Sequence, residues 1–154
     1  MPVTPVSFES VLDAVRRSPL QGFALRMEAM EQLSRLPTYH WSGIYRLEGA
    51  TLVLDAYVGE ATDHTHIPVG RGVCGTAVAE RKNQVIEDVR TLENYLACSL
   101  KTRSEIVVLI ERHGQILGQI DIDGHEVGAF GDRDEAFLTE LAKILAERWD
   151  EPSP

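Results

Sequence analysis

Apolar residues recur along this chain with two different periods. Phe8, Val11, Leu12 and Val15 fall at i, i+3, i+4 and i+7, which predicts an amphipathic helix from about Phe8 to Arg17. Ser18, Pro19 and Gln21 carry helix-start signals, as N-cap, first-turn proline and capping-box residue. Phe23, Met27, Met30 and Leu33 then continue a helical stripe as far as Pro37. At Trp41 the period drops to two: Trp41, Gly43 and Tyr45 should point one way and Ser42, Ile44 and Arg46 the other. The turn-like Glu48-Gly49-Ala50 joins this run to a second alternating run, Thr51 to Tyr57, so a β-hairpin is expected.

Ile67 to Val69 is apolar enough for a brief strand, and the glycine-rich Gly70 to Thr76 leads into a short helix ending near Glu80. Gln84 to Glu87 reads as another short strand. The unbroken apolar run Ile106 to Ile110, within Glu105 to Arg112, suits a central strand covered on both faces, and His113-Gly114 turns it into a partner, Gln115 to Asp123. Asp132 and Glu135 form a capping-box pattern ahead of Phe137, Leu138, Leu141, Leu145 and Trp149, one side of a closing helix. Antiparallel strands in the middle and helices at the ends indicate an α+β fold. A central antiparallel sheet should carry the N- and C-terminal helices on one face and irregular crossover segments on the other.

A length of 154 residues, 44% of them apolar, suits one domain over 1–154 with an ordered core from about 7 to 149. No apolar run approaches the ~20 residues that span a bilayer, and Met1 to Ser10 lacks the pattern of a signal peptide, so the expected location is cytoplasmic. The net charge of −9 opposes approach to nucleic acid or an anionic membrane and favours a small molecule or another protein as partner. The only two cysteines, Cys74 and Cys98, are not in a CxxC pair and do not suggest a disulfide-stapled scaffold.

Candidate chemistry concentrates between Gly70 and Asp123. Cys74 lies between glycines at a helix start, where unpaired N–H groups and the helix dipole favour a thiolate. Cys98 lies in a loop before the central strand. In the last hairpin Ile116, Gly118, Ile120 and Ile122 should share one face, which leaves Asp121 and Asp123 together on the other, with Glu105 opening the neighbouring strand. Acids on central strands are costly unless they bind something, and these three could hold an ammonium group or share a proton as a general acid. The bland alternatives are a wet sheet face, or pairing with Arg103 or Lys101, and two cysteines that are ordinary small buried residues. Trp41 and Tyr45 share a strand face that either packs into the core or lines a pocket. His64, His66 and Cys74 have no fourth ligand positioned beside them, so no metal is expected, and no cofactor motif is present.

Gly70-Arg71-Gly72-Val73-Cys74-Gly75-Thr76-Ala77, Ala97-Cys98, Ser104-Glu105-Ile106-Val107 and Gly118-Gln119-Ile120-Asp121-Ile122-Asp123 occur in an order that resembles the GAF-domain free methionine-R-sulfoxide reductases. Trp41-Ser42-Gly43-Ile44-Tyr45 is similar to that family's first strand. The resemblance implies that Cys98 attacks the sulfoxide sulfur. It also implies that Glu105, Asp121 and Asp123 bind the substrate amino group and help to protonate the oxygen, while Trp41 packs near the methyl group. The resulting Cys98 sulfenic acid would condense with a nearby thiol and be returned by a thioredoxin-like reductant. Family members carry a third cysteine ten residues before the Gly-Val-Cys-Gly cysteine; here that residue is His64, so resolution falls to Cys74 or to an external thiol. A homodimer is the expected assembly. The competing readings are a non-catalytic GAF module that senses a small molecule or an oxidant, and a degenerate domain that only mediates dimerisation.

Overall fold

The computed structural model describes residues 6–92, 95 and 101–153. Two helices, α1 (Phe8–Arg17) and α2 (Gly22–Leu33), precede the hairpin β1 (Trp41–Glu48) and β2 (Thr51–Val58). A short strand β3 (His66–Pro68), helix α3 (Gly72–Glu80) and strand β4 (Gln84–Ile86) follow, and then a single 3₁₀ turn at Val89–Thr91. The chain ends with the hairpin β5 (Ser104–Arg112) and β6 (Gln115–Gly124) and helix α4 (Asp132–Glu147). Each strand runs antiparallel to its neighbours in the order β3-β2-β1-β6-β5-β4, so the two hairpins meet along β1 and β6 at the centre.

Alternation along the central strands divides the sheet into two faces. Ile44, Ile106, Val108, Ile110, Ile120 and Ile122 pack against α1, α2 and α4 through Val11, Leu25, Met30, Leu138 and Leu141, all of them buried. Trp41, Tyr45, Val107 and Leu109 turn to the opposite face and are covered by α3 through Val73, Cys74, Ala77 and Val78. The α+β arrangement and both hairpins therefore follow the hydrophobic pattern.

Three local expectations are corrected. Ser18 closes α1 rather than opening α2, whose first residue is Gly22. The start of α2 is satisfied from the far end of the chain: the Phe23 N–H donates to the Glu151 carboxylate (2.7 Å) and the Gly22 N–H to the Arg148 carbonyl (2.8 Å). A distant carboxylate at a helix N-terminus leaves no local sequence signature. At α4 the N-cap is Gly131, and its N–H donates to Asp134, not to Glu135. Ile116 does not share the face of Ile120 and Ile122. Ile110 pairs with Gly118 while Glu111 pairs with Ile116, so Leu117 is an extra residue on β6. This bulge turns Ile116 to the α3 face.

A buried ion network ties the C-terminus to the first hairpin. Arg26 on α2, only 4% exposed, donates from Nε to Asp55 on β2 (2.6 Å) and from Nη1 to the Trp149 carbonyl (2.7 Å). Its guanidinium lies 4.3 Å from the centre of the Trp149 ring. Arg46 on β1 completes the neutralisation of Asp55 at 2.9 Å.

Gly118 lies where β6 crosses Arg46 of β1, and a Cβ there would press inside van der Waals contact on the Tyr45 carbonyl oxygen and 3.2 Å from the Arg46 Cα. Neither backbone can yield without opening the central pairing. Gly118→Ala is expected to destabilise the fold by about 1–3 kcal/mol, read as a lower urea midpoint, and an unchanged midpoint would contradict the pairing of β1 with β6.

Candidate active site

The register of three strands assembles the site on the α3 face. Trp41, Asp123 and Glu105 stand side by side across β1, β6 and β5; the next row holds Gly43, Asp121 and Val107, and the third Tyr45, Gln119 and Leu109. Two residues along a strand return to the same face, so Asp121 and Asp123 are neighbours and Glu105 stands beside them on the adjacent strand. All three acids are buried, with Asp121 fully enclosed. The wet-face alternative is therefore excluded, and Arg103 forms its ion pair with Asp88 (3.3 Å).

Cys74 reaches this cluster from α3. Gly72, at φ +68°, adopts the left-handed conformation that lets the chain enter the helix, and Gly75 allows close passage of the loop, since a Cβ there would lie 2.6 Å from the Pro68 carbonyl oxygen. The third residue of α3 is thereby pressed against β5, with Cys74 Sγ 3.9 Å from the Glu105 carboxyl. Sγ and one oxygen each from Glu105 and Asp121 lie within 4.8 Å of one another. Neither Asp121 oxygen accepts from an N–H or hydroxyl among the described residues; its polar neighbours are the Glu105 carboxyl and the Cys74 thiol.

Burial pushes the Glu105 carboxyl well above the ordinary range, and the charges of Asp121 and Asp123 push it further the same way. Burial also raises Asp121, against the partial relief of its contacts with Glu105 and Cys74. A carboxyl whose proton affinity is raised in this way is the type of group that can donate a proton as a general acid.

Trp41 and Tyr45 lie on this face with their polar atoms engaged. The Trp41 indole folds over Gly43, where a Cβ would collide with the ring, and its Nε1–H donates to the Glu60 carbonyl (2.9 Å). The Tyr45 hydroxyl donates to the His64 carbonyl (2.9 Å) and so holds the segment that leads to β3. His64, Arg71, Cys74 and Glu105 line a small cleft beside the acids. His66 is exposed on β3, with Nδ1 3.1 Å from the Thr65 hydroxyl. Cys98 lies outside the described residues.

Two features had no signal in the sequence. Gln119 is fully buried in the third row, and neither its amide nitrogen nor its oxygen has a hydrogen-bond partner among the described residues. His40 and His125 stack at 4.0 Å where β1 and β6 meet, and the His125 N–H donates to His40 Nδ1 (3.1 Å). Partial burial lowers the proton affinity of the His125 imidazole, the neighbouring His40 and Lys101 act in the same sense, and Glu60 acts in the other.

A GAF domain model matches residues 9–148. The free methionine-R-sulfoxide reductase of Escherichia coli (strain K12) is 45% identical over 116 residues, which cover 73% of this chain and 70% of that protein. The structure of the free methionine-R-sulfoxide reductase from Neisseria meningitidis in complex with its substrate is 33% identical, with a TM-score of 0.84 over 92% of this chain and 85% of that one. The reduced form of fRMsr from Staphylococcus aureus is 31% identical, with a TM-score of 0.86 over 97% and 99% of the two chains. The chain belongs to the GAF-domain free methionine-R-sulfoxide reductase family.

The acid cluster has a thermodynamic signature. Groups that bind protons more tightly folded than unfolded make their most favourable contribution at low pH, and stability falls as pH climbs above the ordinary glutamate value of 4.5 toward the raised native one. Glu105→Gln and Asp121→Asn replace acids that hold protons in the fold by uncharged amides, so both should flatten this slope. They should be at least as stable as the wild type at neutral pH. Urea titrations between about pH 4.5 and pH 8 measure the effect, and a wild type whose stability rises over that window would contradict the cluster's raised proton affinity.

Proposed function

We propose that this protein reduces free methionine-R-sulfoxide to methionine at the expense of a cysteine thiol. The observation that supports this most strongly is the convergence of Glu105, Asp121 and Asp123 beside Cys74, in a chain 45% identical to a reductase of that substrate. A zwitterionic amino acid offers an ammonium group to the carboxyls and a sulfoxide oxygen that leaves only when protonated. Buried acids with raised proton affinity suit both tasks.

In this reading Cys98 attacks the substrate sulfur while Glu105 and its neighbours bind the amino group and supply the proton. The oxygen ends on Cys98 as a sulfenic acid, and methionine departs with sulfur reduced by two electrons. The Cys74 thiol then displaces water from Cys98 to form a disulfide, and a thioredoxin-like dithiol restores both cysteines by exchange. His64 occupies the third-cysteine position and cannot take that part, so the intramolecular route uses Cys74. The same reading includes Trp41 and Tyr45 as the aromatic wall of the substrate site, one domain spanning the chain, a homodimer and a cytoplasmic location.

Single-turnover quench experiments test the assignment. Cys98→Ser should release no methionine, whereas Cys74→Ser should release about one equivalent per site and then stall as a sulfenic acid until a small thiol is added. A normal first burst from Cys98→Ser would overturn the role of Cys98, and no burst from the wild type would favour a sensory module. Replacing any one of Glu105, Asp121 and Asp123 by its amide should lower kcat/KM by about 100-fold or more, since an amide neither donates an acid proton nor neutralises an ammonium. Unchanged kinetics in all three variants would remove the acids from the mechanism.

A further inference from the structure

Cys74, Glu105 and Asp121 form a set of donors that an ammonium group does not fully use. A positive nitrogen is satisfied by carboxylate oxygens alone and gains little from sulfur. A thiolate beside two carboxylates instead matches a borderline-soft divalent cation, and it is a poor match for magnesium or calcium, which take oxygen ligands. The three donor atoms come from α3, β5 and β6, and they lie within 4.8 Å of one another. Zinc bonds of about 2.3 Å to sulfur and about 2.0–2.2 Å to oxygen, at tetrahedral angles, place sulfur and oxygen roughly 3.5 Å apart. Cys74 Sγ and the Glu105 carboxyl stand at 3.9 Å, so that pair needs a few tenths of an ångström of closure, and the Asp121 oxygen, within 4.8 Å of both, closes by up to about an ångström more.

A second observation points to a cation independently of this spacing. Asp121 is fully buried among these groups, and neither of its oxygens accepts from an N–H or hydroxyl among the described residues, so its only polar contacts are the Glu105 carboxyl and the Cys74 thiol. A buried carboxylate in that state is costly, and a divalent ion offsets the cost as a shared proton does. The half-buried His64 and the exposed Arg71 flank the cleft that Cys74 and Glu105 line, so two of the three donors lie next to the surface.

We propose that the reduced protein binds one Zn²⁺ ion through Cys74, Glu105 and Asp121, with water in the fourth position. Zinc displaces the thiol proton and the proton held between the carboxyls, and both pass to solvent. The ion blocks the resolving thiol and two of the acids, so zinc and free methionine sulfoxide exclude one another. That corollary rests on the proposed reduction, whereas the binding itself does not.

The test needs no turnover. Reduced, chelator-treated protein is titrated with Zn²⁺ against a chromophoric chelator and separately with Co²⁺ under anaerobic conditions. One zinc per chain and a thiolate-to-cobalt charge-transfer band are expected. Cys74→Ala should abolish the band, and Asp121→Asn and Glu105→Gln should each weaken zinc binding by at least about 10–100-fold, the loss seen when even outer partners of a metal are removed. Cys98→Ser should retain both the stoichiometry and the band. Circular dichroism establishes that each variant is folded, and the two amide variants carry the test if Cys74→Ala is not. Absence of the band in the wild type, its survival in folded Cys74→Ala, or unchanged zinc affinity in both amide variants would overturn the proposal. Activity without zinc binding would leave the reductase reading intact, and zinc binding without activity would leave the metal site.

Discussion

Three carboxyl groups buried side by side on adjacent central strands are the constraint around which this molecule is arranged. Glu105, Asp121 and Asp123 cannot all carry charge in an enclosed space without strong mutual repulsion, and burial together with the two neighbouring aspartates raises the proton affinity of Glu105. Isolated buried carboxyls would destabilise a small domain. Here the cost is borne by the rest of the sheet, and the same burial makes the acids chemically useful at neutral pH.

The two faces of the sheet divide the labour. One face holds a continuous apolar layer under α1, α2 and α4, and its packing fixes the register of β1, β6 and β5. Alternation then places the acids on the other face without further specification. A one-residue slip in β6 would exchange Asp121 for Ile120 and bury the acids against the helices, so the helix-side core is what keeps the site assembled. The bulge at Leu117 marks the limit of that logic, because beyond it the faces swap and Ile116 joins the α3 side.

Helix α3 supplies the thiol through backbone shape. Gly72 and Gly75 let the chain turn and pass close to Pro68, and the helix start then carries Cys74 to β5. A negative Sγ at that position is favoured by the helix N-terminus and opposed by the carboxyls that it faces. A protonated sulfoxide, a disulfide partner and a divalent cation are three ways of resolving that opposition. In this light the reductase reading and the zinc site describe two occupants of one electrostatic arrangement.

The α+β class, both hairpins, and the shared face of Asp121 and Asp123 are legible in the amino-acid order alone, because each depends on a period of two or 3.6 that the chain carries locally. The family could also be read there, from motifs short enough to survive as strings, such as Gly72-Val73-Cys74-Gly75 and Asp121-Ile122-Asp123. Which strand lies beside which emerges only when the elements pack together. The pairing of β1 with β6 sets Trp41 next to Asp123 although they are far apart in sequence, and no local pattern encodes it. The same holds for the Glu151 carboxylate at the start of α2, the Arg26–Asp55 pair and the approach of Cys74 to Glu105. Each joins groups from distant segments, and their meeting is fixed by how whole elements pack, whereas local periodicity reports only the face on which each residue lies.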